Sequence, residues 1–190
     1  MSPLEIAGFI LSVLAVWLTA RQHIFCWPIG ILSVAVYAVI FVDVKLYSDA
    51  GLQVIFAFLQ VYGWYAWLTT GPTPASQRPV GRTVPAMAAS LLLIGIAGTS
   101  ALGYVMATRT DAALPWWDAG TTVFSLIAQW LTARKAIESW PLWIVIDIVY
   151  VGIYIAKDLQ LTAVLYAIFI ALAFYGWQQW HSDLRSTRPA

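Results

Sequence analysis

The sequence predicts an all-α membrane protein with seven transmembrane helices, arranged as two parallel three-helix repeats joined by a linking helix, a 3+1+3 plan. Three observations support this fold class. The 190 residues are 61% hydrophobic and only 10% charged, and the mean hydropathy of +0.78 leaves too little polar surface for a soluble protein of 21 kDa. Apolar segments long enough to cross a bilayer fill most of the chain. Two stretches of the chain are also copies of each other.

Seven apolar segments account for the predicted helices. A helix needs about 20 mostly apolar residues to cross the hydrocarbon core. The first segment has neither a basic region before it nor a small-residue cleavage site after it, which favours a retained helix over a signal peptide. The second and sixth segments are short, and each is supported by its partner in the repeat. The segments lie at 3–20, 27–43, 50–68, 84–106, 116–134, 140–156 and 160–180.

The repeat is visible in two patterns that occur twice. WLTAR-x5-WP lies at 17–28 and 130–141, and YGW-x2-W lies at 62–67 and 175–180. All pairs are 113 residues apart, and roughly two fifths of the positions in this register are identical. Helices one to three therefore match helices five to seven, four crossings later, so each helix runs in the same direction as its copy. The unmatched helix at 84–106 is rich in small residues that permit close packing.

This plan divides the chain into five parts. We expect a first repeat at 1–68, a cytoplasmic linker at 69–83, the linking helix at 84–106, a second repeat at 116–181 and a cytoplasmic tail at 182–190. Connections on one side hold seven Lys and Arg residues against three on the other. This bias predicts a cytoplasmic carboxyl terminus and an amino terminus outside. The seven are Arg21, Arg78, Arg82, Arg134, Lys135, Arg185 and Arg188, and the three are Lys45, Arg109 and Lys157.

Several functional classes lack the residues that they need. The single cysteine, Cys26, excludes an internal disulfide and a thiolate metal cluster. All three lysines fall in predicted connections, so none is placed for a retinal Schiff base. His23 and His181 lie at helix ends, away from any paired acid, which argues against an enzyme or a metal site. Without a phosphate loop or a basic patch, we expect no ATP-driven pumping, no cofactor and no nucleic-acid partner.

Parallel repeats related by an axis along the membrane normal are a known transporter architecture. In such proteins the substrate site lies near mid-membrane between the repeats. A substrate does not share the symmetry of the repeats, so positions at which the copies differ are the better candidates for its site. The shared Trp, Arg and Pro residues at helix ends fit a scaffold role, as interface anchors and first-turn prolines.

One face of helix six differs from the same face of helix two. Trp143 and Asp147 have no counterparts, because the first copy holds Gly30 and Val34 at those positions. Asp147 lies roughly 10 Å beyond Trp140 along the helix. An acid at that depth is costly and should face either a cavity or hydrogen-bonding groups of neighbouring helices. The two faces, at spacings of three and four, are Trp140, Trp143, Asp147, Tyr150 and Tyr154 against Trp27, Gly30, Val34, Tyr37 and Phe41.

Helix three carries a complementary face with two glutamines, Gln53 and Gln60, whose copies are Tyr166 and Ala173. The glutamines can pair with a substrate or form interhelical hydrogen bonds. Gln129 in helix five is a third unmatched amide. Aromatic walls, one buried acid and two or three amides describe a pocket for a flat, polar, cationic molecule. The face of helix three consists of Gln53, Phe56, Gln60, Trp64 and Trp67.

At these residues the chain resembles the bacterial PnuC vitamin transporters. The resemblance rests on WP-x-G at 27–30, KLY-x-D-x-GLQ at 45–53, YGWYAW at 62–67, D-x2-TT at 118–122 and above all W-x2-WIVIDIVY at 140–150. It implies a fold related to the SWEET sugar carriers, a place in the bacterial inner membrane, and facilitated diffusion with trapping by cytosolic phosphorylation. By the same resemblance Trp143 and Asp147 match pocket positions of the family, and a family glutamine matches Gln53 or Gln60.

Nicotinamide riboside is the substrate that the resemblance favours, because its cationic ring, carboxamide and ribose each find a chemical match on the two faces. Thiamine fits the same faces, family members also carry riboflavin or deoxynucleosides, and Asp147 could carry a coupled proton. We expect a non-enzymatic transporter in the lipid bilayer without metal or cofactor, and a homo-oligomer stays open. The expected substrate-binding residues are Trp143, Asp147, Tyr150, Gln53, Gln60, Tyr37, Trp140 and Trp64.

Overall fold

The computed structural model describes residues 3–43, 47–69, 79–110, 114–156 and 160–186, and these residues form seven α-helices. The all-α prediction is confirmed. Helix bounds lie within three residues of the predicted segments, except that the seventh helix continues six residues further and includes the start of the predicted tail. The helices are α1 Pro3–Ala20, α2 Cys26–Asp43, α3 Tyr47–Leu68, α4 Pro85–Arg109, α5 Pro115–Ala133, α6 Ser139–Ala156 and α7 Gln160–Ser186.

Six of these helices close into a ring. Within each repeat the consecutive helices pack together, and the repeats join where α1 packs on α7 and where α3 packs on α5. The order around the ring is therefore α1, α2, α3, α5, α6 and α7. Helices α2 and α6 occupy opposite positions and do not pack against each other in the described part of the chain. The two faces that the sequence singles out thus belong to helices at opposite positions of the ring.

Helix α4 lies outside the ring and packs on α5. Its buried residues are two glycines, Gly95 and Gly103, and each receives an aromatic ring from α5. A side chain at Gly95 would overlap Phe124, and one at Gly103 would overlap Trp116. The small residues of the linking helix therefore provide close packing, as the sequence predicts.

The outer surface of the bundle is apolar. Five of the helices, α1, α2, α4, α6 and most of α7, are long and apolar enough to cross a membrane. Large side chains such as Ile10, Phe58 and Leu93 are exposed on outward faces. Helix α5 differs, since it buries eight residues that include Thr121, Ser125 and Thr132. These polar residues of α5 are thus turned towards protein, and lipid covers the apolar faces.

The two repeats place four tryptophans at the end of the bundle where α1, α3, α5 and α7 finish, which we call the tryptophan end. Trp27 meets Trp67 edge-on at 5.2 Å and 87°, and Trp140 meets Trp180 at 5.3 Å and 88°. The Trp67 indole donates to the Ala133 carbonyl at 3.1 Å, and the Trp180 indole donates to a carbonyl of α1 at 3.3 Å. This tryptophan cluster therefore reproduces the internal repeat and ties the two copies together.

The connections that follow α1 and α5 share an uncommon backbone. Gln22 and Lys135, which are equivalent in the repeat, have φ angles of 53° and 52°. Their N–H groups bond to Thr19 and Thr132, again equivalent residues, at 2.9 and 3.0 Å. Such left-handed residues commonly end helices, although glycine is the usual choice. The repeat thus extends from sequence to backbone conformation.

The residues before α4 form an extended segment at 79–83 that lies along the α5–α6 connection. The N–H of Gly81 donates to the Lys135 carbonyl, and the N–H of Ile137 donates to the Gly81 carbonyl, both at 3.0 Å. The backbone N–H and the hydroxyl of Thr83 both donate to the Glu138 carboxylate at 3.0 Å. Val80 is buried in the core. This part of the predicted linker is therefore bonded to the second repeat.

Some sequence expectations fall outside the described residues or need correction. Arg78 and the rest of the linker at 70–78 lie outside, as do Lys45, Lys157 and Arg188. Asp118 is not the N-cap of α5, because Leu114 occupies that position without a side-chain bond. Asp118 lies in the first turn of the helix, where an acidic side chain still suits the helix dipole.

Candidate functional site

Asp147 is the most unusual residue of the bundle interior. Its carboxyl lies in the middle of α6 with only 4% of the residue exposed, and no hydrogen bond to it is found in the described part of the chain. The rings of Tyr150 and Tyr166 are close enough to interact with it electrostatically. A buried acid without a fixed partner is costly at membrane depth. The Asp147 carboxyl is therefore a candidate to bind a polar or cationic group of a substrate.

Trp143 lies one turn before Asp147 and is fixed by a neighbour on α5. Its indole N–H donates to the Thr132 hydroxyl at 3.2 Å, and that hydroxyl donates in turn to the Ala128 carbonyl at 2.9 Å. The ring is half-buried and packs against the tryptophan cluster. One edge of the indole is thus held, which fixes the orientation of a flat aromatic face beside Asp147.

A cluster of tyrosines lies beyond Asp147 towards the other end of the bundle. The rings of Tyr150 and Tyr166 are 4.6 Å apart, and Tyr154 lies 5.8 Å from the first and 5.1 Å from the second. The Tyr150 hydroxyl interacts with the hydroxyls of Thr121 and Ser125 on α5. The predicted site residue Tyr150 is therefore brought together with Asp147 and is held by polar groups of its neighbour.

Tyr37 occupies the equivalent position in the first repeat, and its surroundings are also equivalent. Its hydroxyl interacts with Ser12 on α1, and Ser12 is the copy of Ser125. Ser12 also shares a hydrogen bond of 2.7 Å with Ser33. The hydroxyls of Tyr37 and Tyr150 thus both engage an equivalent serine, and Tyr150 also engages Thr121, whose copy is Gly8.

The two glutamines of α3 have different surroundings. The Gln60 amide fills the space beside Gly30, where an added Cβ would lie 2.5 Å from the amide nitrogen. Gln53 lies two turns earlier and is half-buried. Trp64, one turn after Gln60, packs against the tryptophan cluster as Trp143 does. Three predicted residues of α3 are thus partly buried in the bundle, and one of them is held against α2.

Trp140 stands apart from the other predicted site residues. It is only 2% exposed, and its ring lies against Gly176 and Trp180 in the tryptophan cluster. The copy Trp27 has the same environment, with Gly63 and Trp67 as its neighbours. The structure therefore brings Trp143, Asp147 and Tyr150 together on α6 and places Trp140 at the tryptophan end.

Sequence reasoning missed residues that support the site from neighbouring helices. Thr132 holds Trp143, Ser125 lies at Tyr150, and Tyr166 lies at Asp147. The signal for Thr132 was available, since a threonine inside the repeated WLTAR pattern is polar at a helix end. Tyr166 was visible as the replacement of Gln53. Helix pairing was needed to assign either residue to α6.

No group of three or more metal-ligating side chains occurs among the residues that the structure describes. A cavity of about 120 Å³ lies between segment 79–83 and the end of α5, and none of the predicted site residues lines it. The chemically distinctive part of the interior is thus the face of α6. It combines a fixed indole, a buried acid and hydroxyl groups.

A ring of helices made from two parallel repeats, with a buried acid on one inner face, defines a multi-pass membrane transporter. The chain belongs to the nicotinamide mononucleotide transporter family, whose sequence profile matches residues 2–182. The prediction of a transporter rather than an enzyme is confirmed by this membership, and so is the suspected family.

Three relatives with known names extend almost along the whole chain. The chain is 27% identical to the nicotinamide riboside transporter PnuC of Escherichia coli, over 97% of this chain and 87% of that protein. It is 28% identical to the riboflavin/roseoflavin transporter RibM of Streptomyces davaonensis, over 98% and 87%. It is 25% identical to PnuC of Neisseria mucosa, over 89% and 68%. The crystal structure of the vitamin B3 transporter PnuC shares its fold, with a TM-score of 0.78 at 23% identity over 97% of this chain and 83% of that chain.

Proposed function

We propose that this protein carries nicotinamide riboside across the membrane by alternating access between its two repeats. The observation that supports this best is Asp147, a buried carboxyl without a hydrogen-bond partner in the described part of the chain. An unpaired charge inside the bundle is costly, so a cation that pairs with it binds favourably. The pyridinium ring of nicotinamide riboside is such a cation. The resemblance to two PnuC proteins supports the same substrate.

The proposed roles follow from the surroundings of each side chain. Trp143, held at one edge by Thr132, stacks on the pyridinium ring through its face. Asp147 accepts from the carboxamide or the ribose and supplies negative charge near the ring. Gln53 pairs with the remaining polar groups of the substrate. The side chains that complete the proposed wall are Gln60, Trp64, Tyr37, Tyr150 and, at its tryptophan end, Trp140.

Riboflavin is a second candidate, because RibM is as similar to the chain as PnuC is. Riboflavin also has a flat ring and hydroxyl groups that Gln53 and Asp147 could bind. Its ring carries no positive charge, however, and gives no compensation to an ionised Asp147. The buried acid therefore favours the cationic vitamin. Thiamine is also cationic and belongs in the same comparison.

The decisive experiment is a calorimetric titration of the purified protein with nicotinamide riboside, riboflavin, thiamine and a deoxynucleoside. We expect the tightest binding for nicotinamide riboside. Asp147→Leu should abolish this binding while the protein stays folded in detergent, and Val34→Leu, at the equivalent position of α2, should leave it unchanged. Tighter binding of thiamine or riboflavin would mean that this vitamin, and not nicotinamide riboside, is the substrate. Unchanged affinity in Asp147→Leu would remove Asp147 from the pocket.

We further propose that transport is facilitated diffusion and that cytosolic phosphorylation traps the substrate. Vesicles that contain the purified protein and no kinase should equilibrate the substrate without accumulating it. Accumulation that collapses with the proton gradient would instead make Asp147 a proton carrier. The test separates the two mechanisms, because only the coupled one responds to the gradient.

The proposed location is the bacterial inner membrane, with the amino terminus outside and the tryptophan end in the cytoplasm. The excess of Lys and Arg at this end supports that orientation. A fluorescent protein fused after residue 190 should fluoresce in cells, whereas alkaline phosphatase fused there should be inactive. The opposite pair of results would reverse the orientation.

A further inference from the structure

Two residues that occupy the same position in the two repeats touch each other at the tryptophan end. Gln22 and Lys135 are 113 residues apart, and the Lys135 ammonium donates to the Gln22 side-chain oxygen at 3.0 Å. Equivalent residues of two repeats can meet only close to the axis that relates the repeats. A substrate path between parallel repeats runs along the same axis. The contact between Gln22 and Lys135 therefore lies across that path.

The backbone at Gln22 and Lys135 has a conformation that is unfavourable for residues other than glycine. The φ angles of 53° and 52° lie in the left-handed region that favours glycine. A side chain that persists in this region costs free energy and calls for a functional reason. Glycine would close both turns without that cost, so Gln22 and Lys135 contribute through their side chains.

Lys135 is a buried cation that neutral groups hold. It is only 3% exposed, and its ammonium lies 4.5 Å from the centroid of the Trp67 ring. The Gln22 amide also donates to the Asp183 carboxylate, at 2.5 Å. Burial lowers the pKa of Lys135 because it disfavours the charged ammonium, and the Asp183 carboxylate acts in the opposite direction by attracting that charge. Burial of this lysine is therefore unfavourable for stability, which argues for a role in function.

Each of these contacts joins one repeat to the other. Gln22 follows α1 and meets Lys135 and Asp183 of the second repeat, while Lys135 meets Trp67 of the first. The repeats cannot separate at this end unless these three contacts break together with the indole hydrogen bonds of Trp67 and Trp180. We propose that Gln22, Lys135 and Asp183 form a gate, which closes the tryptophan end of the substrate path and opens once in each transport cycle.

The chemistry of the gate suits repeated opening. A hydrogen bond from an ammonium to an amide oxygen is a modest interaction, and so is a cation–π contact. A buried direct ion pair, in contrast, costs much more free energy to separate. Gln22 separates Lys135 from Asp183 and so keeps the closing force moderate. The gate rests on the proposed transport function only for its purpose, since its contacts can be tested without any substrate.

The chain contains its own reporter for this gate. Cys26 is the only cysteine, it is 2% exposed, and it belongs to the same buried cluster as Trp67. Lys135 is close enough to interact electrostatically with the thiol. Opening of the tryptophan end should expose Cys26 to a water-soluble maleimide. The rate of labelling of the purified protein in lipid nanodiscs therefore measures opening.

Lys135→Met should raise the rate of Cys26 labelling about tenfold, because the variant loses the ammonium contacts to Gln22 and Trp67. Loss of a nearby cation makes a thiolate less favourable, so faster labelling can come only from greater access. The matched control is Arg134→Met, which removes the positive charge next to Lys135 in the sequence. The Arg134 guanidinium lies over the Trp130 ring and not at the gate. Equal rates in the two variants would overturn the gate.

A second pair of variants keeps the proposal testable if Lys135→Met does not fold. Asp183→Asn alone should raise labelling severalfold, because it weakens the hold on Gln22. The double variant Gln22→Glu with Asp183→Asn keeps the net charge and creates a direct ion pair with Lys135. It should slow both labelling and substrate exchange severalfold below the wild type. Faster labelling in the double variant, or no change in either, would overturn the proposal.

The test separates the gate from the proposed substrate. All gate variants should still bind nicotinamide riboside in calorimetry, because no gate residue belongs to the proposed pocket and a changed gate alters only the populations of the open and closed states. If the wild type does not bind this substrate, the substrate proposal fails and the labelling result still stands. If binding is normal but labelling does not respond to the variants, the gate alone fails.

Discussion

The two repeats share the packing of tryptophan on glycine at the tryptophan end, which we call the frame, and they differ in their interiors. At the tryptophan end Trp27 lies against Gly63 and Trp140 lies against Gly176 with closely matching geometry. One turn further into the bundle the sizes of the facing residues are exchanged. The first repeat has a glycine on its middle helix and Gln60 on its third. The second repeat has Trp143 on its middle helix and a buried alanine, Ala173, on its third.

This exchange teaches how an asymmetric site forms in a symmetric bundle. Each helix pair needs one large and one small residue at this level, because protein interiors are closely packed. Exchanging them between helices keeps the volume and moves the large group. In the first repeat the Gln60 amide lies at Gly30. In the second repeat the aromatic ring projects from α6 beside Asp147. The frame can remain symmetric while the site does not.

The largest effect should come from the frame itself. Gly63→Ala and Gly176→Ala each place a methyl group on a buried indole, so both should lower the free energy of unfolding by about 3 kcal/mol or prevent folding. The control is Gly152→Ala in α6, where the new methyl group meets open space. Thermal unfolding of the three variants measures this. A large difference between Gly63→Ala and Gly176→Ala would break the symmetry of the frame.

The next effect should separate the interiors. Asp147→Val makes the middle of α6 like that of α2 and should weaken binding of nicotinamide riboside by about 2–3 kcal/mol, or 30–160-fold. Asp147→Asn keeps a polar group without charge and should lose less. Calorimetry on both variants measures the contribution of the charge. Equal losses in the two variants would mean that charge, not hydrogen bonding, makes Asp147 important, whereas no loss in Asp147→Asn would mean that the charge contributes nothing.

A smaller effect should appear when the support of Trp143 is removed. Thr132→Val deletes the hydroxyl that accepts from the indole and should weaken substrate binding by about 1 kcal/mol, or about fivefold. Thr19→Val is the matched change in the first repeat. The copy of Trp143 on α2 is Gly30, so no indole from α2 donates to the Thr19 hydroxyl. It should leave binding unchanged. Similar losses in both variants would point to a general defect of the bundle.

The smallest effect concerns the paired tyrosines. Tyr37→Phe and Tyr150→Phe each remove a hydroxyl that interacts with an equivalent serine, so both should lower the free energy of unfolding by about 1 kcal/mol. Binding assays then decide whether either hydroxyl also contacts the substrate. A binding loss confined to Tyr150→Phe would assign that residue to the pocket and leave Tyr37 to the frame.

Much of the fold could be predicted because its signals are local. Apolar length gave seven helices, and a constant offset of 113 residues gave the repeat that the tryptophan cluster reproduces. The differences at Trp143 and Gln60 were also visible in the sequence. That Gln60 fills the space at Gly30 could not be predicted, since it depends on which helix faces meet.

The contacts between repeats were equally hidden in the sequence. Lys135 was counted only as a basic residue of a connection, and its copy Gln22 gave no signal. A left-handed turn redirects both side chains into the protein, and nothing in the residue types predicts such a turn without glycine. Long-range pairs of this kind follow from the packing of the repeats, which a single sequence does not specify.

The bonding of segment 79–83 determines how the chain divides into moving parts. Gly81 and Thr83 are fixed to the α5–α6 connection, and α4 packs on α5 in the described part of the chain. The linking helix is therefore a fixed component of the second repeat and not an independent spacer. Any rocking of the repeats therefore sets three helices against four. The two repeats have three helices each in the sequence, but the two moving units are unequal. The smaller unit consists of α1 to α3, and the larger unit consists of α4 to α7.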